Sequence, residues 1–401
     1  MRLQSGTRLR NEADRIVTHV WQGAGMHLPR PDVDPDGLLE YSVVFTDRSL
    51  NHMSKRFVGV MRDIIDVLRT TYHAHAVAIV PGGGSYAMEA VARQLATGRR
   101  CLIVRNGLFS YRWSQIIEVG AISDDVTVCT ARRVDDTAHA AWEPAPVDEV
   151  VAAIREQRPA VVFAPHVETA AGIVLPDDYL RAIAAATHEV GGIFVLDCVA
   201  SGALWVDLTE VHVDVLISAP QKGWSGTPCA GYVMLSEAGR AAVESTTSSS
   251  FAADLKKWLS IADAYVEGQT PYHATMPTDG LAHNAAIMLE TRDLGLEQLR
   301  AAQVALGGKV RRLLASRGFG SVAADPYAAS SVVVVYTDDP EIRTGAKFKQ
   351  VGLQVAAGVP LMCGESSDFS TFRIGLFGLD KLTDVDGTVA RLEKALDQLT
   401  R

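Results

Sequence analysis

The chain has 401 residues, of which 48% are hydrophobic and 21% are charged, a composition typical of a globular protein with one large core and a smaller one. The formal net charge is −9 and the 38 lysines and arginines are scattered, so the sequence offers no basic stripe to a nucleic acid. Five separated cysteines without a CxxC pair indicate reduced thiols and a cytoplasmic setting.

The N-terminal segment, residues 1–45, carries few structural signals. Its first 17 residues, "MRLQSGTRLRNEADRIV", include basic side chains but no apolar stretch, so we expect no secretory signal. The nearest approach to a membrane span is residues 190–206, which carry Asp197 at their middle and several glycines. This run predicts a buried strand followed by a loop, and no contact with a membrane.

From residue 76 onwards, short β-branched runs alternate with helical patterns. "AVAIV" precedes "YAMEAVARQLA", "AVVFA" precedes "DDYLRAIAAATHEV", and three further strand-like runs follow, "GIFVLD", "VDVLIS" and "GYVMLS". This spacing indicates βαβ units and a mainly parallel sheet in an α/β domain, which we place at residues 46–285. Ligands of such sheets bind beyond the carboxyl ends of the strands.

The C-terminal part predicts a smaller α+β domain, residues 286–401. A long helical pattern over residues 279–318 leads away from the large domain, and strand-like "SSVVVVYT" and a strand before Arg373 follow it. The chain then ends in a helix with one apolar face formed by Val389, Leu392, Leu396 and Leu399.

Three features at the ends of predicted strands carry groups that could bind a ligand or react with it. Lys222 follows the apolar run of "DVLISAPQKGW", where burial would lower its pKa and leave a nucleophilic amine, unless the side chain only extends to water. The turn "PGGGSYAME" opens a helix whose free N–H groups suit a phosphate, with Ser85 as a possible cap, although strand-to-helix turns also use glycine for geometry alone. Asp197 closes "GIFVLD", where it is either a turn residue or the partner of a buried cation.

Together, these three features match what pyridoxal 5′-phosphate requires. A lysine binds the cofactor's aldehyde, an aspartate keeps the pyridine nitrogen protonated, and a glycine turn holds the phosphate. The histidines of "HAH" and "HVE" lack further ligands at suitable spacing, so we predict no metal site.

Seven ordered blocks resemble the class V aminotransferases of fold-type I, in particular the alanine–glyoxylate, serine–glyoxylate and 2-aminoethylphosphonate–pyruvate group. They are "GGGSYAMEA", "LIVRNGLFSYRW", "HVETAAGI", "LDCVASGALWVD", "SAPQKGW", "YHATMP" and "FRIGLFG". The resemblance implies a large domain with a mainly parallel seven-stranded sheet, a small C-terminal α+β domain, and a homodimer with shared active sites.

The resemblance also implies roles for individual residues. Lys222 is similar to the family's Schiff-base lysine, Asp197 to the partner of the ring nitrogen, and Arg373 in "FRIG" to the arginine that binds the substrate carboxylate. The cofactor-binding residues it implies are Gly83, Gly84, Ser85, Phe109, Thr169, Asp197, Val199, Gln221 and Lys222, with Tyr272 and Thr275 reaching the cofactor of the partner subunit.

The expected reaction is a ping-pong transfer of an amino group from a small amino acid or an aminophosphonate to a 2-oxo acid such as pyruvate or glyoxylate, with Lys222 as the base. The alternative is a lyase or cysteine desulfurase, because the same fold supports those reactions and Cys363 lies in a loop shortly before Arg373. The pattern typical of desulfurases has a histidine over the cofactor ring, whereas this chain has Phe109 at the similar position.

Overall fold

The computed structural model describes residues 32–399. The described residues form two compact units, the first ending at Phe57 and the second running from Val58 onwards. The predictions on residues 1–17, and most of the predicted N-terminal segment, lie outside the described residues.

The second unit is built on a seven-stranded sheet, as predicted. Its strands in chain order are β1 (Ala76–Pro81), β2 (Cys101–Arg105), β3 (Val126–Thr130), β4 (Val161–Pro165), β5 (Ile193–Asp197), β6 (Val215–Ser218) and β7 (Ala230–Leu235). The spatial order is β1-β7-β6-β5-β4-β2-β3. Only β7 runs antiparallel to its neighbours, β1 and β6, and the pairs from β6 to β3 are parallel. The β-branched runs form these strands because, except in the edge strand β3, their side chains are buried on both faces of the sheet.

Helices follow most of the strands. Those of eight or more residues are α1 (Lys55–Tyr72), α2 (Gly84–Leu95), α3 (Leu108–Val119), α4 (Val147–Gln157), α5 (Asp177–Glu189), α6 (Glu237–Glu244), α7 (Leu255–Val266), α8 (Thr278–Asp293), α9 (Leu296–Ser316) and α10 (Val385–Leu399). Short helices lie at Leu208–Val211, Asp325–Tyr327, Pro340–Arg343, Ala346–Gln350 and Leu379–Leu382. Two short ladders join Arg132–Arg133 to Trp142–Glu143 and Val167–Glu168 to Ile173–Val174.

The long helical pattern over residues 279–318 is two helices rather than one. Gly295 has φ +91°, a left-handed conformation that side-chain-bearing residues rarely adopt, and it separates α8 from α9. The pattern missed this break because the apolar periodicity continues on both sides of the glycine.

A second sheet carries Arg373. It consists of β8 (Val332–Tyr336), β9 (Ala356–Ala357) and β10 (Thr371–Gly375), with β10 in the middle and antiparallel to both neighbours. Arg373 therefore lies on the central strand, opposite Val334 on one side and Ala356 on the other. The predicted boundary between two domains near residue 285 stays a prediction.

Within residues 32–399, no helix is both long and apolar enough to cross a membrane. In the same range, no group of three or more His, Cys, Asp or Glu side chains is arranged to hold a metal ion.

Candidate active site

A cavity of about 340 Å³ lies beyond the carboxyl ends of the parallel strands. Most of the predicted site residues line it, although they come from distant parts of the sequence. They are Gly84, Ser85, Phe109, Thr169, Asp197, Val199, Gln221, Lys222 and Arg373. The further lining residues include Arg112, Val167, Ala356 and Phe377. The large sheet thus supplies one wall and the second sheet supplies the other.

The glycine turn after β1 is shaped by close packing. Gly82 has φ +117°, and a Cβ on Gly84 would lie 2.7 Å from a methyl carbon of Val199. Gly83 is the N-cap residue of α2 and is not among the cavity-lining residues, and Ser85 lies inside the first helical turn. The expectation that Ser85 caps α2 is therefore wrong: its hydroxyl instead accepts a hydrogen bond of 2.9 Å from Nη1 of Arg112. The first N–H groups of α2 have no intrahelical acceptor.

The loop that carries Lys222 is held tightly on both sides. A Cβ at Gly223 would lie 2.3 Å from the Gly202 carbonyl oxygen, so the residue after the lysine has room only for hydrogen. Trp224 is fully buried, with its ring 4.5 Å from that of Trp205. Ser225 adopts φ +56°, and its hydroxyl accepts a 2.7 Å hydrogen bond from the Leu379 N–H. These contacts explain the sequence "QKGWS" as a rigid support for the lysine.

Lys222 is partly buried and lines the cavity. Its Nζ is 4.8 Å from the centre of the Phe377 ring. Burial, and then the charge of Arg373, lower the pKa of Lys222 below its usual value. The Oε1 of the neighbouring Gln221 is buried and has no hydrogen-bond partner within the described part of the chain.

Asp197 ends β5 with its carboxylate almost completely buried. Oδ1 accepts a 2.9 Å hydrogen bond from the Val199 N–H, which fixes the turn that follows. Burial raises the pKa of Asp197 to about 6, and the nearby Glu168 carboxylate adds to the rise, while this hydrogen bond and the Arg112 guanidinium oppose it. A cationic partner in the cavity would relieve the cost of ionising this group.

Two guanidinium groups lie near the ring of Phe109. The Cζ atoms of Arg112 and Arg373 are 5.1 Å and 5.6 Å from the ring centre. Nε of Arg373 donates a 2.9 Å hydrogen bond to the Ala357 carbonyl, and burial lowers the pKa of this arginine. Among residues 32–399, Arg373 forms no salt bridge, so an internal ion pair does not account for its position.

Tyr272 and Thr275 are not among the residues that line this cavity. The Tyr272 side chain is 58% exposed, and its hydroxyl lies 3.1 Å from Oγ1 of Thr275. The two hydroxyls therefore form a pair on the surface of this subunit.

Comparisons with known proteins agree with this geometry. No protein-family profile matches the sequence. The sequence is similar to the 2-aminoethylphosphonate–pyruvate transaminase of Burkholderia pseudomallei, with 28% identity over 365 residues that cover 88% of this chain and 90% of that protein. The fold is similar to an aspartate aminotransferase of Thermus thermophilus, with a TM-score of 0.71, 24% identity, and 88% and 93% of the two chains covered. An alanine–glyoxylate aminotransferase from Nostoc gives the same TM-score at 21% identity, covering 87% of this chain and 89% of its own.

Each of these similarities extends over most of both chains. The chain is similar to the class V aminotransferases of fold-type I. The predicted fold class and the predicted aminotransferase activity are thereby confirmed. The assignment of roles to single residues stays a prediction that the cavity's composition supports.

Three residues in or beside the candidate site were not singled out in the sequence. Arg112 follows Phe109 by one helical turn, Glu168 precedes Thr169, and Phe377 is the last aromatic residue of the block "FRIGLFG". All three lie inside the quoted blocks, but only packing reveals their neighbours. The one available signal was the spacing of Phe109 and Arg112, which places both on the same face of α3.

The thiol of Cys363 is unsuited to nucleophilic chemistry. Its Sγ lies 3.5 Å from the Arg105 carbonyl oxygen and 3.6 Å from that of Leu361, and it is not among the cavity-lining residues. Burial, with the Glu168 and Glu365 carboxylates nearby, raises its pKa to about 12. A thiol that stays protonated in this way is a poor sulfur acceptor.

Observations within the cavity fit pyridoxal 5′-phosphate. Because Gly84 has no side chain, a ligand could approach the backbone of the first turn of α2 closely beside Val199. The amide oxygen of Gln221 has no hydrogen-bond partner within the described residues. The lining combines the cations of Arg112, Lys222 and Arg373 with one buried carboxylate, Asp197. An anionic ligand with one cationic nitrogen matches this set of charges.

Proposed function

We propose that this aminotransferase binds pyridoxal 5′-phosphate and moves an amino group from a small amino acid or an aminophosphonate to a 2-oxo acid such as pyruvate or glyoxylate. The observation that carries the proposal is the convergence of Lys222, Asp197 and Arg373 on one cavity. The similar proteins are named for the amino donors 2-aminoethylphosphonate, aspartate and alanine, and two of the names add an acceptor, pyruvate or glyoxylate. These names support a small amino donor.

The residues that would hold the cofactor surround the cavity. Gly84, Ser85 and Gln221 would bind the phosphate, Phe109 and Val199 would pack against the two faces of the ring, and Thr169 would lie near its phenolic oxygen. When bound, pyridoxal 5′-phosphate supplies an aldehyde for the donor's amino group and a ring that withdraws electrons from the donor's Cα. Gly83 would contribute through its backbone at the N-cap of α2.

Lys222 would move the proton during the reaction. Its lowered pKa increases the fraction of neutral amine, which can accept the proton from the donor's Cα. The tightly packed "QKGWS" loop would keep the amine close to the reacting atoms, with the Phe377 ring beside it.

Asp197 and Arg373 would fix the two charged ends of the site. An ionised Asp197 would stabilise a protonated ring nitrogen, and that cation would in turn lower the pKa of Asp197 from about 6. The planar fork of Arg373 would bind the carboxylate of the amino or oxo acid. Its Nε already donates to the Ala357 carbonyl, so the two terminal nitrogens would bind the carboxylate.

The active enzyme would be a homodimer. Tyr272 and Thr275 present their hydroxyls at the surface, where they would reach the phosphate site of the partner subunit. The exposed aromatic side chains of Tyr86 and Phe251, 61% and 75% accessible, support a surface that another subunit covers. The five free cysteines support the reducing cytoplasm as the place of action.

A titration of the cofactor's absorbance tests this function. Purified enzyme would be loaded with pyridoxal 5′-phosphate, and 2-aminoethylphosphonate, alanine, serine, aspartate and cysteine would be added one at a time. We expect at least one donor to convert the cofactor from its aldehyde to its amine form, and pyruvate or glyoxylate to reverse the change. Sulfide release from cysteine without this reversal would instead favour a desulfurase.

A further inference from the structure

The side chain of Arg112 connects two parts of the site that are distant in the sequence. It lies on α3, one turn after Phe109, and its Nη1 donates a 2.9 Å hydrogen bond to Oγ of Ser85 in the first turn of α2. Ser85 belongs to the turn whose backbone N–H groups suit a phosphate. Arg112 thus places a positive charge at the phosphate-binding end of the cavity.

This positive charge forms no salt bridge with residues 32–399, although it is near enough to Asp197 to oppose the rise of that carboxyl's pKa. Nη1 of Arg112 donates to the Ser85 hydroxyl, and Cζ lies 5.1 Å from the centre of the Phe109 ring. A guanidinium presents five N–H donors in a planar fork that matches the oxygens of a phosphate. A half-buried arginine whose hydrogen-bond partner is a neutral hydroxyl is therefore well placed to bind an anion.

We propose that Arg112 binds the phosphorus oxyanion in this cavity, together with Ser85 and the first turn of α2. The inference rests on the proposed use of pyridoxal 5′-phosphate, whose phosphate is the source that the contact with Ser85 favours. The phosphonate of an aminophosphonate donor carries the same chemistry. The turn "GGGS" has no hydroxyl residue between its glycines, and Arg112 supplies a strong donor at the position next to Ser85.

Arg105 offers a matched control. Its Nη2 donates a 2.8 Å hydrogen bond to Oγ of Ser114 on the same helix α3, and its Cζ lies 4.7 Å from the centre of the Tyr111 ring. Arg105 therefore makes the same two kinds of contact as Arg112, but it is not among the residues that line the cavity. Loss of its charge should leave ligand binding unchanged.

The test compares pyridoxal 5′-phosphate with pyridoxal, which lacks the phosphate. Dissociation constants would be measured on cofactor-free wild type, Arg112→Gln, Arg112→Lys and Arg105→Gln, with thermal melting as a check of folding. We expect Arg112→Gln to weaken pyridoxal 5′-phosphate by about 10- to 100-fold, the effect of losing one charge-assisted pair, and to leave pyridoxal within about 2-fold. The dissociation constant of Arg112→Lys for pyridoxal 5′-phosphate should lie between those of wild type and Arg112→Gln. Arg105→Gln should bind both compounds as wild type does.

A second arm separates the two sources of the anion. With cofactor saturating, the KM or inhibition constant of 2-aminoethylphosphonate would be compared with that of alanine. A rise for 2-aminoethylphosphonate alone, with unchanged cofactor affinity, would assign Arg112 to the substrate's phosphonate. Equal weakening of pyridoxal and its phosphate, or no change in either arm, would overturn the inference. Wild type that fails to bind pyridoxal 5′-phosphate would contradict the proposed function itself.

Discussion

The Ser110 hydroxyl donates a 2.7 Å hydrogen bond to Oε2 of Glu168, a side chain with no exposed surface. The same carboxylate accepts the N–H groups of Phe109, Ser110 and Ala170 at 3.2, 2.9 and 2.9 Å. A single buried anion thereby ties the first turn of α3 to the segment after β4. It holds Phe109 and Thr169, two predicted cofactor contacts, in a fixed relationship.

Removal of the Glu168 carboxylate should destabilise the protein. Glu168→Ala leaves four donors without their acceptor, and we expect a loss of about 3 kcal/mol or more in the free energy of unfolding, measured by urea titration. Glu168→Gln keeps one acceptor oxygen and should lose less. Glu189→Ala, which removes an exposed partner of Arg155, serves as the control and should change little. Similar stability for Glu168→Ala and Glu189→Ala would contradict the role of the buried carboxylate.

Lys222 should be the residue that reacts with the cofactor. Treatment of the loaded enzyme with borohydride should attach the cofactor to Lys222, and peptide mass spectrometry would locate the modification. Lys222→Ala should lose turnover, whereas Lys309→Ala, whose exposed amine pairs with Asp386, should retain it. Modification of another lysine, or normal turnover of Lys222→Ala, would contradict the assignment.

The strands could be predicted from the sequence because each is a short β-branched run with turn residues at its ends. For the same reason Lys222 and Asp197 could be predicted to lie close together, since both come at the end of such a run and the carboxyl ends of parallel strands share one edge, and both line the cavity. The break at Gly295 was missed because periodicity reports which face is apolar and does not report backbone direction. It is visible in the positive φ of Gly295.

Arg112 and Glu168, which the sequence analysis did not identify, contact residues that are distant in the sequence. Arg112 meets Ser85, 27 residues away, and Glu168 meets Ser110 across 58 residues. The spacing from Phe109 is the one local signal that sets Arg112 apart from Arg105, which makes similar contacts outside the cavity. Only the assembled fold shows that Arg112 lines the cavity and that Arg105 does not.

Asp197 should give the cofactor-free protein a distinctive pH dependence. Its folded pKa of about 6 is above the usual 3.8, so the folded state binds the proton more tightly and this residue's contribution to stability falls as the pH rises from about 4 to about 6. Asp197→Asn removes that loss, and its stability relative to wild type should increase by up to about 3 kcal/mol between pH 4 and pH 7. Urea titrations at both pH values measure the difference, and a constant difference would contradict the raised pKa.

The same variant should be almost inactive. Asparagine keeps the shape of the Asp197 side chain but lacks the charge that stabilises a protonated ring nitrogen, so turnover should fall by several orders of magnitude while cofactor still binds. Single-turnover absorbance measurements with a donor would separate slow chemistry from weak binding. An unchanged kcat would remove Asp197 from this role.

Cys363 separates the two reaction classes. Because its thiol is buried against the Arg105 and Leu361 carbonyls and its pKa is raised to about 12, Cys363→Ser should transaminate at nearly the wild-type rate. Arg373→Ala provides the contrast and should raise KM strongly for carboxylate substrates. Sulfide release from cysteine that disappears in Cys363→Ser would favour the desulfurase.

A subunit-mixing experiment tests the proposed shared site. One variant carries Lys222→Ala, and the other carries Tyr272→Phe with Thr275→Ala, so that each homodimer alone should be impaired. If Tyr272 and Thr275 serve the partner's cofactor, a mixed dimer contains one site with an intact Lys222 and intact partner hydroxyls, and a second site with both defects. Unfolding and refolding the two variants together should then restore about half of the wild-type activity per mixed dimer.

If the two hydroxyls served the cavity of their own subunit, each site of the mixed dimer would keep one defect and activity would not rise above that of the parents. Sedimentation on the same samples would show whether dimers formed, so that a missing rescue in a dimeric mixture counts against the shared site.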